Sequence, residues 1–206
     1  SDHRLPEGSE DVESNFDDFP SWSFPFTRGE AGKGLVRLAR FEFGASSDAL
    51  DRIKYLSSSD AVPAVRFHVN TRLVALYETA RDLMWEILEK ICAEERSSGV
   101  LNLFIDSSLR PLVPFHPDRV FELTSEVYER FGEAPKAENI KQKCTVILGQ
   151  LAFQFEHSES WKMLEQFINE PFIYISEVRQ IVMNAGETLN LGIGEPVDAQ
   201  KDRVRQ

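Results

Sequence analysis

The sequence predicts an all-α protein: an irregular multi-helix domain organised around one long central helix, with an extended N-terminal segment. Three observations carry this expectation. Apolar residues recur at helical spacing over most of the chain. The longest such run, from Pro63 to about Gly99, is regular enough to read as a single rod. Strand-like alternation is confined to short pieces that have no clear partner strand.

The long run repeats apolar residues at Leu73, Leu76/Tyr77, Ala80, Leu83/Met84, Ile87/Leu88 and Ile91, the pattern of one helical face. Pro63 suits the first helical position, with Asp60 close by. Gly99, following Arg96, reads as the stop. A helix of that length would span about 50 Å. The later helices are shorter, and their short turns suggest HEAT/armadillo-like helix pairs. No repeat of about 34 or 40 residues is found, so an irregular helical domain is the expectation. No family resemblance is evident.

Residues 1–33 read as an acidic, aromatic-containing extended tail or strap. Asp2, Glu7, Glu10, Asp11, Glu13, Asp17, Asp18 and Glu30 outnumber Arg4, Arg28 and Lys33. Such a composition buries too little apolar surface to offset its ordering entropy. One stretch departs from it. Phe16, Phe19, Trp22, Phe24 and Phe26 crowd together, and Pro20 and Pro25 disfavour a helix there.

Gly34 to Gly44 fits a strand at period two and a short helix at period 3.6; the helix is preferred, because a partner strand would have to come from Val65–Val69. Ser47 to Leu56 is a helix capped by Ser46 or Ser47, with Leu50, Ile53 and Leu56 (and Tyr55) on its buried edge. Val100 to Phe115 reads as a buried connector, either strand or helical turn at first, then irregular because of Pro111 and Pro114. Pro117 opens a helix to Phe131. Another runs from Pro135 to Phe155, and its interior Gly149 suggests close approach of a neighbour. A short helix carries Trp161, Leu164 and Ile168, capped by Ser158 or Ser160. The last, Phe172 to Ala185, is expected to turn Ile175, Val178, Ile181/Val182 and Ala185 inward. The helical domain thus covers 34–186, and 187–206 is a polar C-terminal tail.

With 206 residues, 42% of them hydrophobic, the chain can build a core. The net charge of −11 lacks the basic clustering that grips phosphate, so no nucleic acid is expected, nor an anionic membrane surface. No apolar run approaches the roughly 20 residues that span a bilayer, and the acidic N-terminus is no secretory signal. Cys92 and Cys144 fall on apolar helix faces and read as buried thiols, which suits a reducing compartment. The expected location is intracellular, in cytoplasm or nucleus.

Candidate chemistry is sparse. His116 and Asp118, completed by His157, have the composition of a two-histidine, one-carboxylate metal site, yet such sites need strands this chain does not offer. The simpler reading is that His116 caps a helix, Pro117 takes its first position and Asp118 faces the positive dipole end. The His-Pro-Asp triplet also marks J-domain co-chaperones, but there it follows a basic helix and here it follows Pro111–Phe115. Gly192-Ile193-Gly194 lacks the strand and helix of a phosphate loop. Asp82, Glu86, Glu89, Glu94 and Glu95 read as a solvated face balanced by Arg81, Lys90 and Arg96. No catalytic residue, metal ligand or cofactor is assigned.

The expected function is therefore a non-catalytic protein–protein interaction module, an adaptor, scaffold or regulator. Its candidate partner-binding residues are Phe16, Asp17, Asp18, Phe19, Trp22, Phe24 and Phe26, where aromatics fill pockets and the aspartates steer toward a partner with a basic or apolar groove. The alternatives are an enzyme with a dispersed, metal-dependent site at His116, Asp118 and His157, and a homodimer built on the long helix.

Overall fold

The structure, a computed structural model, describes residues 27–131 and 138–190. Among the described residues the protein is all-α, with nine α-helices and no strand. No helix among them is long and apolar enough to cross a membrane. Packing divides the chain into two compact units, Ser1–Pro111 and Leu112–Gln206.

The first unit holds α1 (Thr27–Ala39), α2 (Ser47–Ser58), α3 (Pro63–Asn70), α4 (Arg81–Glu94) and α5 (Ser98–Phe104). Helix α3 packs against α1, α2 and α5. Pro63 sits in its first turn as the sequence predicts, and the Val62 amide donates to Asp60 Oδ1 at 3.0 Å, satisfying a donor at the helix entry. Helix α1 approaches so closely that a Cβ on Gly32 would stand 2.7 Å from Val69 Cγ2. The expected cap of α2 is present: the Ala49 amide donates to Ser46 Oγ at 3.4 Å.

The rod expected over 63–99 is not one helix. It is α3, a 3-10 turn at Leu73–Leu76, then α4, with α5 starting before Gly99. Two threonines make the first break. Thr71 Oγ1 donates to the His68 carbonyl at 2.8 Å, competing for the acceptors that would continue α3. Thr79 Oγ1 donates to the Ala39 carbonyl at 2.6 Å, tying this stretch to the end of α1, and Ala80 leaves the helical region at φ −148°, ψ 52°. Glu95 then ends α4 in extended conformation. The apolar stripe survives these breaks: Leu73, Leu76, Met84, Ile87, Leu88 and Ile91 are all buried.

The expected buried connector is helical. Helix α5 widens into a π turn at Ile105–Leu109, and Leu101, Phe104, Ile105 and Leu109 are fully buried. Ser108 Oγ donates to the Asn70 carbonyl at 2.6 Å, taking up an acceptor at the end of α3. The predicted 33/34 boundary falls inside α1, so 27–33 are helix and not extended tail.

The second unit holds α6 (Pro117–Arg130), α7 (Glu138–Phe155), α8 (Ser158–Asn169) and α9 (Ile175–Asn190). Helix α7 packs against all three others. Its buried residues Ile140, Cys144, Ile147, Leu148, Leu151 and Ala152 form one stripe at helical spacing, widened by Thr145 and Gly149 to meet three neighbours. Gly149 answers its expected role: a Cβ there would lie 2.7 Å from Asn184 Nδ2 of α9. Glu156, at φ 53°, turns the chain from α7 into α8. The last helix runs to Asn190, past the predicted domain end at 186.

Candidate functional site

The aromatic stretch expected to bind a partner (Phe16, Asp17, Asp18, Phe19, Trp22, Phe24, Phe26) lies outside the described residues. Four arrangements within them carry charge, nucleophiles or exposed apolar surface.

The first unit contains a buried ion pair. Arg66 of α3 donates to both carboxylate oxygens of Glu95, from Nε at 2.7 Å and from Nη2 at 2.9 Å. Glu95 Oε1 also accepts the Arg96 and Ser97 amides at 3.0 and 2.9 Å. Glu95 is only 7% exposed, so it does not belong to the solvated acidic face expected from the sequence. Its bidentate bond fastens the α4–α5 junction to α3. Beside it opens a recess of about 170 Å³ lined by Ser58, Arg66, Lys90, Glu94, Glu95 and Arg96. Within it Arg66 is compensated by Glu95, and Lys90 Nζ donates to Ser59 Oγ at 3.0 Å.

In the second unit, Asp118 and His157 do come together: His157 Nε2 lies 3.1 Å from Asp118 Oδ1. The other ring nitrogen accepts the Ser160 amide at 3.2 Å and lies 3.1 Å from Ser160 Oγ. Because Nδ1 accepts a backbone N–H, the ring proton resides on Nε2 and points at Asp118. This is a Ser, His and Asp set without nucleophilic capability, since Ser160 is fully buried. It works as a helix cap, and His157, not Ser158 or Ser160, is the cap residue of α8. His116 occupies the cap position of α6, but makes no side-chain capping bond; Pro117 and Asp118 take the first turn as expected. No group of three or more His, Cys, Asp or Glu side chains that could hold a metal occurs among the described residues.

A second polar network reaches into the same unit. Tyr128 Oη of α6 donates to Glu177 Oε1 of α9 at 2.8 Å, and Ser176 Oγ donates to Oε2 at 2.7 Å. Lys141 Nζ lies 3.9 Å from the same Oε1. Glu177 is 2% exposed. Burial, then the bond to Glu177, holds the Tyr128 phenol far above its ordinary range. Burial alone pushes the Cys144 thiol up to about 12, so it stays protonated and is no nucleophile.

This network has an external consequence. Glu177 and Asn184 are one α-helical face, and both are engaged, with Tyr128 and against Gly149 respectively. Ile181 lies between them and is buried. The stripe expected to point inward is split: Ile181 is buried and Val178 and Ala185 are half-buried, but Ile175 and Val182 are each 66% exposed, and Met183 beside them is 51% exposed. Phe172 and Ile173, just ahead of α9, are more exposed still. The first unit has a smaller counterpart where α1 ends. Phe41 and Phe43 stack with centroids 5.5 Å apart, Arg40 covers Phe41, and Leu38 stands exposed beside them. The sequence hid this surface because Ile175 and Val182 repeat at core spacing with Val178 and Ile181; Glu177 and Asn184, spaced seven apart on the side of Ile181, were the signal.

No family model, no curated protein and no solved structure matches this chain.

Proposed function

We propose that the chain is a non-catalytic protein–protein interaction module, binding another protein through its helical surface and its N-terminal aromatic segment. The observation that supports this reading is the outward stripe of α9. Exposed apolar side chains scattered singly are ordinary, but Phe172, Ile173, Ile175, Val182 and Met183 lie on one turn and the helix it leads into. With Glu177 and Ile181 on its buried line, α9 leaves Ile175, Val182 and Met183 outward, where a second surface can cover them. A homodimer is the second reading, because an apolar stripe is complementary to itself across a two-fold axis.

The test pairs two measurements on the full chain and on an Ile175→Ser/Val182→Ser variant. Proteins retained from a lysate are compared, and solution mass is measured by light scattering. The interaction reading expects a defined set of proteins retained by the native chain and lost by the variant, at a monomeric mass for both. A dimeric mass that falls to monomer in the variant establishes the second reading. Identical retention and identical monomeric mass would refute both.

A further inference from the structure

We propose that the apolar face of α1 is the docking surface for residues 16–26 of the same chain, so that the aromatic segment rests on its own first helix. The proposal deepens the interaction reading and rests on it in one respect: the segment is taken to be a binding element whose aromatics need a cover.

The inner face of α1 is already used, by Gly29, Gly32, Val36 and Ala39. A second apolar line runs along its outside. Ala31, Gly34 and Leu38 are spaced by three and four residues on one helical face, and Phe41 follows in the turn just past the end of α1. Ala31 is exposed, Leu38 is 52% exposed and Phe41 is 48% exposed. Nothing lies within 4 Å of where a Cβ on Gly34 would stand, so the line has a trough at its middle. The far end is closed by Phe43, folded back by a tight turn. The Phe41 and Gly44 amides donate to the Leu38 and Phe41 carbonyls at 3.1 and 2.9 Å, and any side chain on Gly44 would collide with the Leu38 carbonyl.

Charge and chain length select the occupant. Arg37 and Arg40 are exposed beside Leu38 and Phe41. The nearby acids are Glu42, which is exposed, and Glu30, which is bonded by Lys33 at 2.8 Å. The far end of the face is thus basic and aromatic, and the segment that precedes α1 is acidic and aromatic, with Asp17 and Asp18 between Phe16 and Phe19. Arg37 and Arg40 lie about 15–20 Å along the axis from Thr27. A chain that reverses at Phe24–Phe26 and returns extended covers that distance in about five or six residues. It therefore brings Asp17–Phe19 beside Arg37 and Arg40, and Ser21–Trp22 over the Gly34 trough. A small residue at Gly34 leaves room for a large ring.

Disulfide trapping in the full chain tests this. Ser21→Cys is combined with Ala31→Cys, on the same face of α1, and in a control with Tyr55→Cys on α2, which is 44% exposed. Native Cys92 and Cys144 are buried and do not compete. Neither substitution at Ser21 nor at Ala31 fills the Gly34 trough or removes an aromatic ring. Docking expects an intramolecular disulfide forming about tenfold faster at Ala31 than at Tyr55, from the higher effective concentration. It expects that advantage to collapse on adding Arg37→Glu and Arg40→Glu, or in about 1 M salt, where the screening length falls to about 3 Å. Equal rates at the two positions would overturn the proposal, and so would covalent dimers in place of the internal bond, which would assign the segment to a second copy. No partner enters this measurement, so its failure and a failure of the interaction reading are separate results.

Discussion

Helices α4 and α9 both have apolar stripes in the sequence, and the structure buries the first whole and the second only in part. In α4 the stripe is the core: Met84, Ile87, Leu88 and Ile91 are buried, and Asp82, Glu86 and Glu89 face solvent. In α9 the buried line includes Glu177, held by Tyr128 and Ser176, while Ile175 and Val182 face outward. Periodicity says that a stripe belongs against something. It does not say whether that something is the chain's own core or another surface. The difference is decided by residues on the opposite face, and by whether a buried tyrosine or glycine elsewhere gives them a place.

The comparison is broken most severely from the α4 side. Ile87→Ala should cost about 2–5 kcal/mol, the range for deleting a large buried side chain. Ile87 is 1% exposed, so no slack surrounds it. Denaturant melts check this, and a loss below about 0.5 kcal/mol would place the α4 stripe at a surface.

A smaller loss is expected from Tyr128→Phe, which deletes the phenol that anchors Glu177. Leaving a buried acceptor short of a donor costs about 1–3 kcal/mol. Tyr128 and the buried Cys144 also make stability depend on alkaline pH. Tyr128 and Cys144 both have their neutral forms favoured in the folded state. Their contribution is therefore fully present below their unfolded values and is lost as pH rises above them. For Cys144 the window opens near 9 and extends to about 12. Melting temperatures should fall through that range in the native chain, and Tyr128→Phe should fall less steeply above about pH 10. Parallel curves would mean that Tyr128 is ionised without penalty.

Next comes Leu83→Ala, at about 1 kcal/mol, because Leu83 is only half-buried on the edge of the α4 stripe. A loss equal to that of Ile87→Ala would mean that the stripe is wider than the packing of α4 indicates.

Local signals proved legible, and distant ones did not. Pro63 at the start of α3, Ser46 at the cap of α2 and Gly149 under α9 each act on residues within a turn, or leave a gap any neighbour can fill. The all-α class follows from such signals added together. The break in the expected rod depends on Thr79 reaching the Ala39 carbonyl, a contact between residues far apart in sequence. The burial of Glu95 depends on Arg66, and that of Glu177 on Tyr128. A carboxylate in a helical pattern defaults to solvent until its partner is known, which is why Glu95 is expected on the solvated face. The pairing of His157 with Asp118 was suspected for its composition, but its capping role needed the Ser160 amide to be seen at Nδ1.

The smallest effect on stability should come from the outer face of α9, and it is the most informative about the comparison. Ile175 and Val182 touch too little to support the fold if two-thirds of each is in water. Replacing both with Ser should therefore shift the unfolding free energy by less than about 0.5 kcal/mol, the usual range for surface changes. β-branched Val and Ile are also no better in a helix than Ser, so propensity does not offset this. If α9 were instead a core helix like α4, the double variant would lose several kcal/mol by the same arithmetic that applies to Ile87. Measured side by side in denaturant, the two helices should thus differ by at least about fourfold in sensitivity. Equal sensitivity would return Ile175 and Val182 to the core and remove the surface on which the interaction reading stands.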